Sequence, residues 1–341
     1  MKELYICPST LALGYKTYSP VALKRLFGGK KVSPFLDFSF EEHNNRQEIF
    51  HNMGHTSISG LQEKFFGVLD RNHIRLAKRN EQSTYILKPV PWNYSLPMRA
   101  KLPVNEHLTM QIASQIYKIE TPANGLCFAS DGQPVYITRR FDINTDGSKI
   151  AQEDFAVLLR KNELSDGAHF KHKGNYALIA EKVKQYIPAW HIALERLFQL
   201  IIFNYLYGNG CAHLKNFSLQ RKGEDYLLSP AYGLLNTAIH IDKSIFGLED
   251  GLSPALEKSN VYAKSGYPCK IDFIHFGKLI GLKAKRIEKI LNPFMEIPTE
   301  VFSMIDRSFL NSNMKQNYRY IILERHCRFL RKGDSYGIRL I

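Results

Sequence analysis

Between Leu194 and Tyr207 the chain is almost continuously apolar, and Leu197, Leu200, Ile201, Tyr205 and Leu206 recur at helical spacing. That pattern predicts a buried helix. Past Tyr207 the chain turns abruptly polar, through Gly208-Asn209-Gly210-Cys211-Ala212-His213-Leu214-Lys215-Asn216. This loop leads into two short predicted strands, Phe217–Leu219 and Asp225–Leu228, joined by a turn at Gln220–Glu224. Strands are also predicted at Phe65–Leu69, Tyr85–Lys88 and Pro134–Asp142, and helices at Pro20–Phe27 and Val104–Tyr117, where Leu108, Ile112 and Ile116 form an apolar face. Gln152-Glu153-Asp154-Phe155 reads as the opening of a helix with acidic residues in its first turn. From residue 190 onward the periodicity is mainly helical, over Trp190–Leu206, Ile271–Ile280, Lys285–Leu291 and Glu300–Arg331, the last broken near Leu310. Residues 1–50 mix turn residues with one short helix and read as a small extension, closed by Pro34 and an acidic run from Asp37 to Glu42.

A chain of 341 residues with 44% hydrophobic residues can bury a substantial core. The N-terminus lacks a basic region followed by a long apolar run, and no stretch of about 18 apolar residues occurs, so a cytoplasmic protein without a membrane span is expected. Five cysteines, at positions 7, 127, 211, 269 and 327, are odd in number and contain no C-x-x-C pair. The usual zinc spacing is thereby excluded and a disulfide framework is not indicated. A net charge of +14 admits nucleic acid, acidic proteins or phosphate-bearing substrates as partners. The basic runs at Arg71–Arg79, Lys283–Arg286 and Arg325–Lys332 are scattered and accompany no recognition helix or aromatic strand set, so direct nucleic-acid binding is not expected.

Candidate chemistry gathers in three places. Gly208 and Gly210 permit close backbone approach beside His213, Lys215 and Asn216, a crowding that suits a charged substrate and equally describes a solvated turn. Ser57, Ser59 and Gly60 could set backbone N–H groups against phosphate oxygens, with Lys64 adding a charge, although one glycine alone also describes a hairpin turn. Lys88 closes a strand before Pro89, where a lysine can be an ordinary strand-end charge.

Taken together, Gly208-Asn209 with His213-x-Lys215-Asn216-Phe217-Ser218, the segments Ser57–Lys64, Tyr85–Pro89 and Leu228–Thr237, and the triplets Asn105-Glu106-His107 and Arg140-Phe141-Asp142 resemble the HipA-type serine/threonine kinases. These are the toxins of bacterial toxin–antitoxin pairs, and the resemblance spans roughly residues 50 to 310. It implies an α+β, two-lobed protein-kinase-like fold, with a strand-rich N-lobe at 51–145 and a helical C-lobe at 146–341. It further implies ATP and Mg2+ as cofactors. Ser57, Ser59, Gly60 and Lys64 would cover the phosphates, one of the two serines being an autophosphorylation site, and Lys88 would contact the α- and β-phosphates, oriented by Glu106. The adenine-bonding hinge would fall at Ile137–Arg139, including Thr138 and Arg139, with Tyr232 also at the nucleotide. Cys211, His213 and Lys215 would occupy the catalytic loop, Asn216 and position 233 the metal site, and Glu153 and Asp154 the region of the activation segment.

Two positions depart from the family pattern. Cys211 stands where the family has the aspartate that orients the attacking hydroxyl, and Gly233 stands where it has the aspartate that holds magnesium. If each loss costs about 3 to 4 kcal/mol of transition-state stabilisation, turnover falls roughly 10⁵-fold on an additive reading. The expectation is therefore an impaired kinase with a retained nucleotide pocket. A pseudokinase or binding scaffold, or an enzyme with a relocated carboxylate, are the alternatives. Expected partners are a protein substrate and either an antitoxin or a separate N-terminal subdomain protein, because residues 1–50 are too short to supply that subdomain.

Overall fold

A computed structural model describes residues 3–40, 62–144, 146–240 and 244–331, which divide into two units. The first is built on an antiparallel sheet of β1 (Phe65–Asp70), β2 (His73–Leu76), β3 (Tyr85–Lys88), β4 (Asn124–Phe128) and β5 (Pro134–Arg139), in the order β2-β1-β3-β5-β4. Strand alternation sorts its side chains. Tyr85, Leu87, Val135 and Ile137 turn to one face, where they share a core with Tyr18, Ala22, Leu26, Phe27, Leu36 and Phe40. The residues between them, Lys88 and Tyr136 among others, fall on the opposite face.

Residues 3–40 thus contribute to the core of this unit. Helix α1 (Pro20–Phe27) is capped by Ser19, whose Oγ accepts from Ala22 N at 3.3 Å, has proline at its first position and ends on Gly28 at φ 64°. The Tyr18 hydroxyl donates to Leu126 O at 2.7 Å, Leu126 N donates to Pro8 O at 2.7 Å, and Phe128 N donates to Pro34 O at 2.8 Å. These bonds cover the outer edge of β4, which would otherwise present unpaired backbone.

Helix α2 (Leu102–Gln115) packs on β4 and β5, and every residue from Leu102 to Ala113 is buried. The unit also takes in residues 230–236 and 299–315, so the division is not a single cut after residue 145. Asn105 explains the first of these additions: its Nδ2 donates to Asn236 O at 2.8 Å and its Oδ1 accepts from Asn236 N at 3.1 Å. The helix Thr299–Arg307 packs on α2, and Phe309 lies 5.6 Å from Phe128, ring centre to ring centre.

The second unit carries a small sheet, β6 (Gln152–Asp154), β7 (Ser218–Lys222) and β8 (Asp225–Leu228), in the order β6-β7-β8. Gln152–Asp154 is therefore a strand, not the first turn of a helix. The helix, α3 (Phe155–Leu158), starts one residue later, with Asp154 as its N-cap. Helix α4 (Tyr176–Tyr186) packs on α5 (Trp190–Leu206), the long apolar helix seen in the sequence. Its residues from Leu197 to Leu206 are buried except Gln199, and Asn204 is the one polar residue among the buried ones, which accounts for the density of apolar residues there. Helices Asn260–Ser265, Lys270–Leu279 and Ala284–Leu291 and the part of Ser312–Phe329 beyond residue 315 complete the unit. Among the described residues no helix is long and apolar enough to cross a membrane, and no disulfide links the cysteines.

Candidate functional site

In the first unit the chemistry centres on Lys88. Alternation along β3 sends its side chain to the face covered by α2, and there its ammonium forms an ion pair with Glu106. Only 14% of the Lys88 side chain and 4% of that of Glu106 is exposed. The ammonium also lies 5.2 Å from the centre of the Tyr136 ring. Taking two charges out of water is costly, so a buried pair is weak as a stabilising device and points to a functional use. Glu106 belongs to the second turn of α2, past the positions where an acid serves merely as a dipole partner. One helical turn distributes three polar residues to three places: Asn105 to Asn236, Glu106 to Lys88, and His107 through Nε2–H to Ser9 O at 2.7 Å. Burial holds His107 neutral, pushing it down to about 4.

The stretch preceding β1 returns to the same strand end. Gln62 Nε2 donates to Pro89 O at 2.5 Å and Glu63 Oε2 accepts from Trp92 N at 3.2 Å, with Lys64 half-buried beside them in sequence. Ser57, Ser59 and Gly60 lie outside the described residues. Thr138 and Arg139, the residues expected at the hinge, form the end of β5. Thr138 lies in the ladder between Ile86 and Asn124, its hydroxyl donates to Ala123 O at 3.3 Å, and Arg139 N donates to Ala123 O at 2.8 Å. A central strand uses its backbone groups on its two neighbours, and the pairing continues to Arg140, whose N donates to Thr84 O at 2.8 Å, before the chain turns away at Phe141-Asp142. There Arg140 makes two hydrogen bonds to Asp142, at 2.9 and 2.6 Å. Burial pushes the Asp142 carboxyl up, yet the Arg140 guanidinium outweighs it and leaves the group below the usual carboxylate range. The half-buried ring of Tyr232 stands 5.6 Å from that of Phe141. Next to it Gly233 has φ +66°, and a Cβ placed on it would meet no atom within 4 Å.

In the second unit, α5 delivers the polar loop. Tyr207 stacks on Phe203 at 4.3 Å, and Asn209 is tied back to Asn204 by Asn209 N to Asn204 O and Nδ2 to Oδ1, both at 2.9 Å. Thr237 closes the turn: its Oγ1 accepts from Gly210 N at 2.9 Å and donates to Gly208 O at 3.1 Å. Beyond it the carbonyl of half-buried Cys211 accepts from His213 N at 2.8 Å and from Asn216 Nδ2 at 2.5 Å. His213 is buried, with no partner for Nδ1. Burial, and after it the charges of Lys171, His172 and Lys215, push it down to about 3, so it stays neutral.

Lys215 turns to Asp154, Nζ to Oδ2 at 2.6 Å, while the other carboxylate oxygen caps α3 at Ala156 N and Val157 N. From sequence Asp154 reads as a first-turn acid in the region of the activation segment. Its pairing with Lys215 depends on the β6–β7 register, which sets Asp154 opposite Ser218. The loop thus brings Cys211, His213 and Asn216 together and holds Lys215 on an acid 61 residues away. The donor set does not suit a protein-held magnesium ion. With the Asn216 nitrogen committed to Cys211 O, its amide oxygen is one hard donor and Cys211 is soft. Among the described residues no group of three or more His, Cys, Asp or Glu could hold a metal.

The fold and these positions define a HipA-type, kinase-like protein. Residues 56–301 match the HipA-like C-terminal domain family, and the chain belongs to it. A Haemophilus influenzae protein named "Putative kinase" is 30% identical over 314 residues, which span 86% of this chain and 87% of that protein. HipA from the Shewanella oneidensis MR-1 toxin–antitoxin complex of HipA, HipB and operator DNA matches in structure with a TM-score of 0.60 at 18% identity, over 80% of this chain. The match covers 65% of that HipA chain, a little less than two thirds.

Proposed function

We propose that this protein is an ATP-binding, HipA-like serine/threonine protein kinase homologue whose phosphoryl transfer is impaired by Cys211 and Gly233, and that it works in the cytoplasm within a toxin–antitoxin type complex. The observation that carries the reading is the buried Lys88–Glu106 pair, which has no other evident use in the first unit. A lysine held there by a carboxylate is oriented for the α- and β-phosphates, with Lys64 and the Ser57–Gly60 segment adding contacts. ATP, when bound, supplies the phosphoryl group and its own charge to the phosphate-binding residues. Thr138 and Arg139 at the end of β5, with Tyr232 beside Phe141, are the candidates for the adenine end.

The second unit supports the impairment. Protein kinases orient the acceptor hydroxyl with a carboxylate, and a thiol of different reach and softness at Cys211 is a poor replacement. With no acid at 233, nucleotide binding should depend little on magnesium. A binding scaffold is the second reading, favoured by the same two positions. Calorimetry with ATP separates them: micromolar or weaker binding that survives a chelator and is lost in Lys88→Met supports the nucleotide-binding reading, and no binding supports the scaffold.

For partners, the +14 charge fits an acidic surface and rapid, salt-dependent association. We infer an acidic or DNA-binding antitoxin, or a separate N-terminal subdomain protein, recovered by pull-down with an on-rate that falls steeply as salt rises. Recovery of nucleic acid alone would refute this.

A further inference from the structure

Within the second unit, Gly247 sits so near the loop that no side chain could replace its hydrogen: a Cβ there would lie 2.4 Å from the Ala212 carbonyl carbon and 2.5 Å from Ala212 N. Close approach, not backbone conformation, demands glycine at this position. Two side chains from another part of the unit close around the contact. The Tyr176 hydroxyl donates to Ala212 O at 2.9 Å and accepts from Gly247 N at 3.3 Å, and His172 donates from Nδ1 to Gly247 O at 2.9 Å. Tyr176 is fully buried between Phe217 and Phe246, 6.0 and 5.7 Å away by ring centres. The backbone reinforces the arrangement through Glu249 N to His172 O at 2.9 Å, Asp250 N to Gly174 O at 3.1 Å and Tyr176 N to Gly251 O at 3.1 Å. The His172 ring then meets that of His213 edge-on at 4.9 Å.

We propose that Tyr176, His172 and Gly247 are positioning residues: they clasp the Ala212 peptide to the 244–252 segment, so that this segment sets the geometry of Cys211 and His213 on either side. One hydroxyl serves two peptide groups, which leaves the buried phenol satisfied as donor and acceptor and makes the two segments shift together. A ligand or partner that moves residues 244–252 therefore moves the loop. The consequence for phosphoryl transfer rests on the function proposed above; the clasp itself does not.

Cys211 provides a local probe, because Cys269, in the same unit, is buried and the exposed Cys327 can be removed. In a Cys327→Ser background, Tyr176→Phe keeps the ring packing and removes both hydroxyl bonds. Iodoacetamide should then modify Cys211 roughly 3- to 10-fold faster, the bias expected from losing the net worth of a buried hydrogen bond, while Cys269 stays protected. Gly247→Ala should do the same by pressing on Ala212. An unchanged Cys211 rate in Tyr176→Phe, or equal acceleration of Cys211 and Cys269, overturns the clasp. In a chain carrying Cys211→Asp and Gly233→Asp, Tyr176→Phe should lower kcat with the KM for ATP unchanged; an unaffected kcat overturns the positioning role. Inactivity of that doubly substituted chain counts against the kinase reading alone, since the labelling result still decides the clasp.

Discussion

Lowering the pH from about 7.5 to about 5 should weaken each unit through one buried neutral histidine, His107 in the first and His213 in the second. Burial is the leading cause in both; His213 is pushed further by the neighbouring charges of Lys171, His172 and Lys215, whereas the bond to Ser9 partly opposes the shift of His107. The folded values, about 3 for His213 and about 4 for His107, lie below the value of about 6.5 that an unfolded chain would show. Below about 6.5 the unfolded state takes up a proton that the folded state does not. The contribution is therefore complete above that pH and is lost as the pH falls toward the folded value. At about pH 5 each histidine has forfeited roughly 2 kcal/mol. Urea denaturation across this range checks it, and the chain has a convenient reporter in each unit, Trp92 in the first and Trp190 in the second. Replacing either tryptophan by phenylalanine isolates the other signal. His213→Gln should flatten the pH slope seen by Trp190, and His107→Gln that seen by Trp92. Variants that keep the full slope would refute the reasoning.

Two other outcomes come from the ion pairs. Glu106→Gln should leave Lys88 as a buried uncompensated charge and lower stability by about 3 to 5 kcal/mol, read as a shift of the denaturation midpoint, whereas a change below about 1 kcal/mol would mean that the pair is solvated. Asp154→Asn should retain the cap on α3 yet release Lys215, and Asp154→Ala should lose both, costing about 1 kcal/mol more in denaturation. Equal stabilities for those two variants would contradict the double role of Asp154.

The α5 helix could be read from the sequence because its apolar residues, from Leu197 to Leu206, recur at helical spacing, and strands β1, β3 and β8 because short apolar runs end at turn residues. What escaped depends on pairing across the chain. Gln152–Asp154 carries no alternating pattern and becomes a strand only by pairing with β7. His73–Leu76 is hidden in a basic run and is a strand because β1 folds back on it. Residues 3–40 read as an appendage because their buried residues, such as Cys7, Tyr18 and Leu36, are spaced without period and make sense only against the sheet. The loop residues and Lys88 were found through motif order, whereas Tyr176, His172 and Gly247 carry no local signal and emerge from long-range contacts, Tyr176 and Gly247 with the Ala212 peptide and His172 with Gly247 O, 75 residues away.

On the function proposed above, the missing carboxylates at 211 and 233 limit phosphoryl transfer by this protein. Position 233 has room for one: its Cβ direction is open, and aspartate tolerates its left-handed backbone, which costs an L-residue roughly 1 to 2 kcal/mol, better than most L-residues do. The direct measurement is phosphate incorporation from γ-labelled ATP by the chain as it stands, by Cys211→Asp, by Gly233→Asp and by the two together. The account expects near-background transfer from the first three and a gain approaching roughly 10⁵-fold in the last, since groups that act as a unit recover together. Transfer by the unaltered chain at a rate comparable to the double replacement would contradict it.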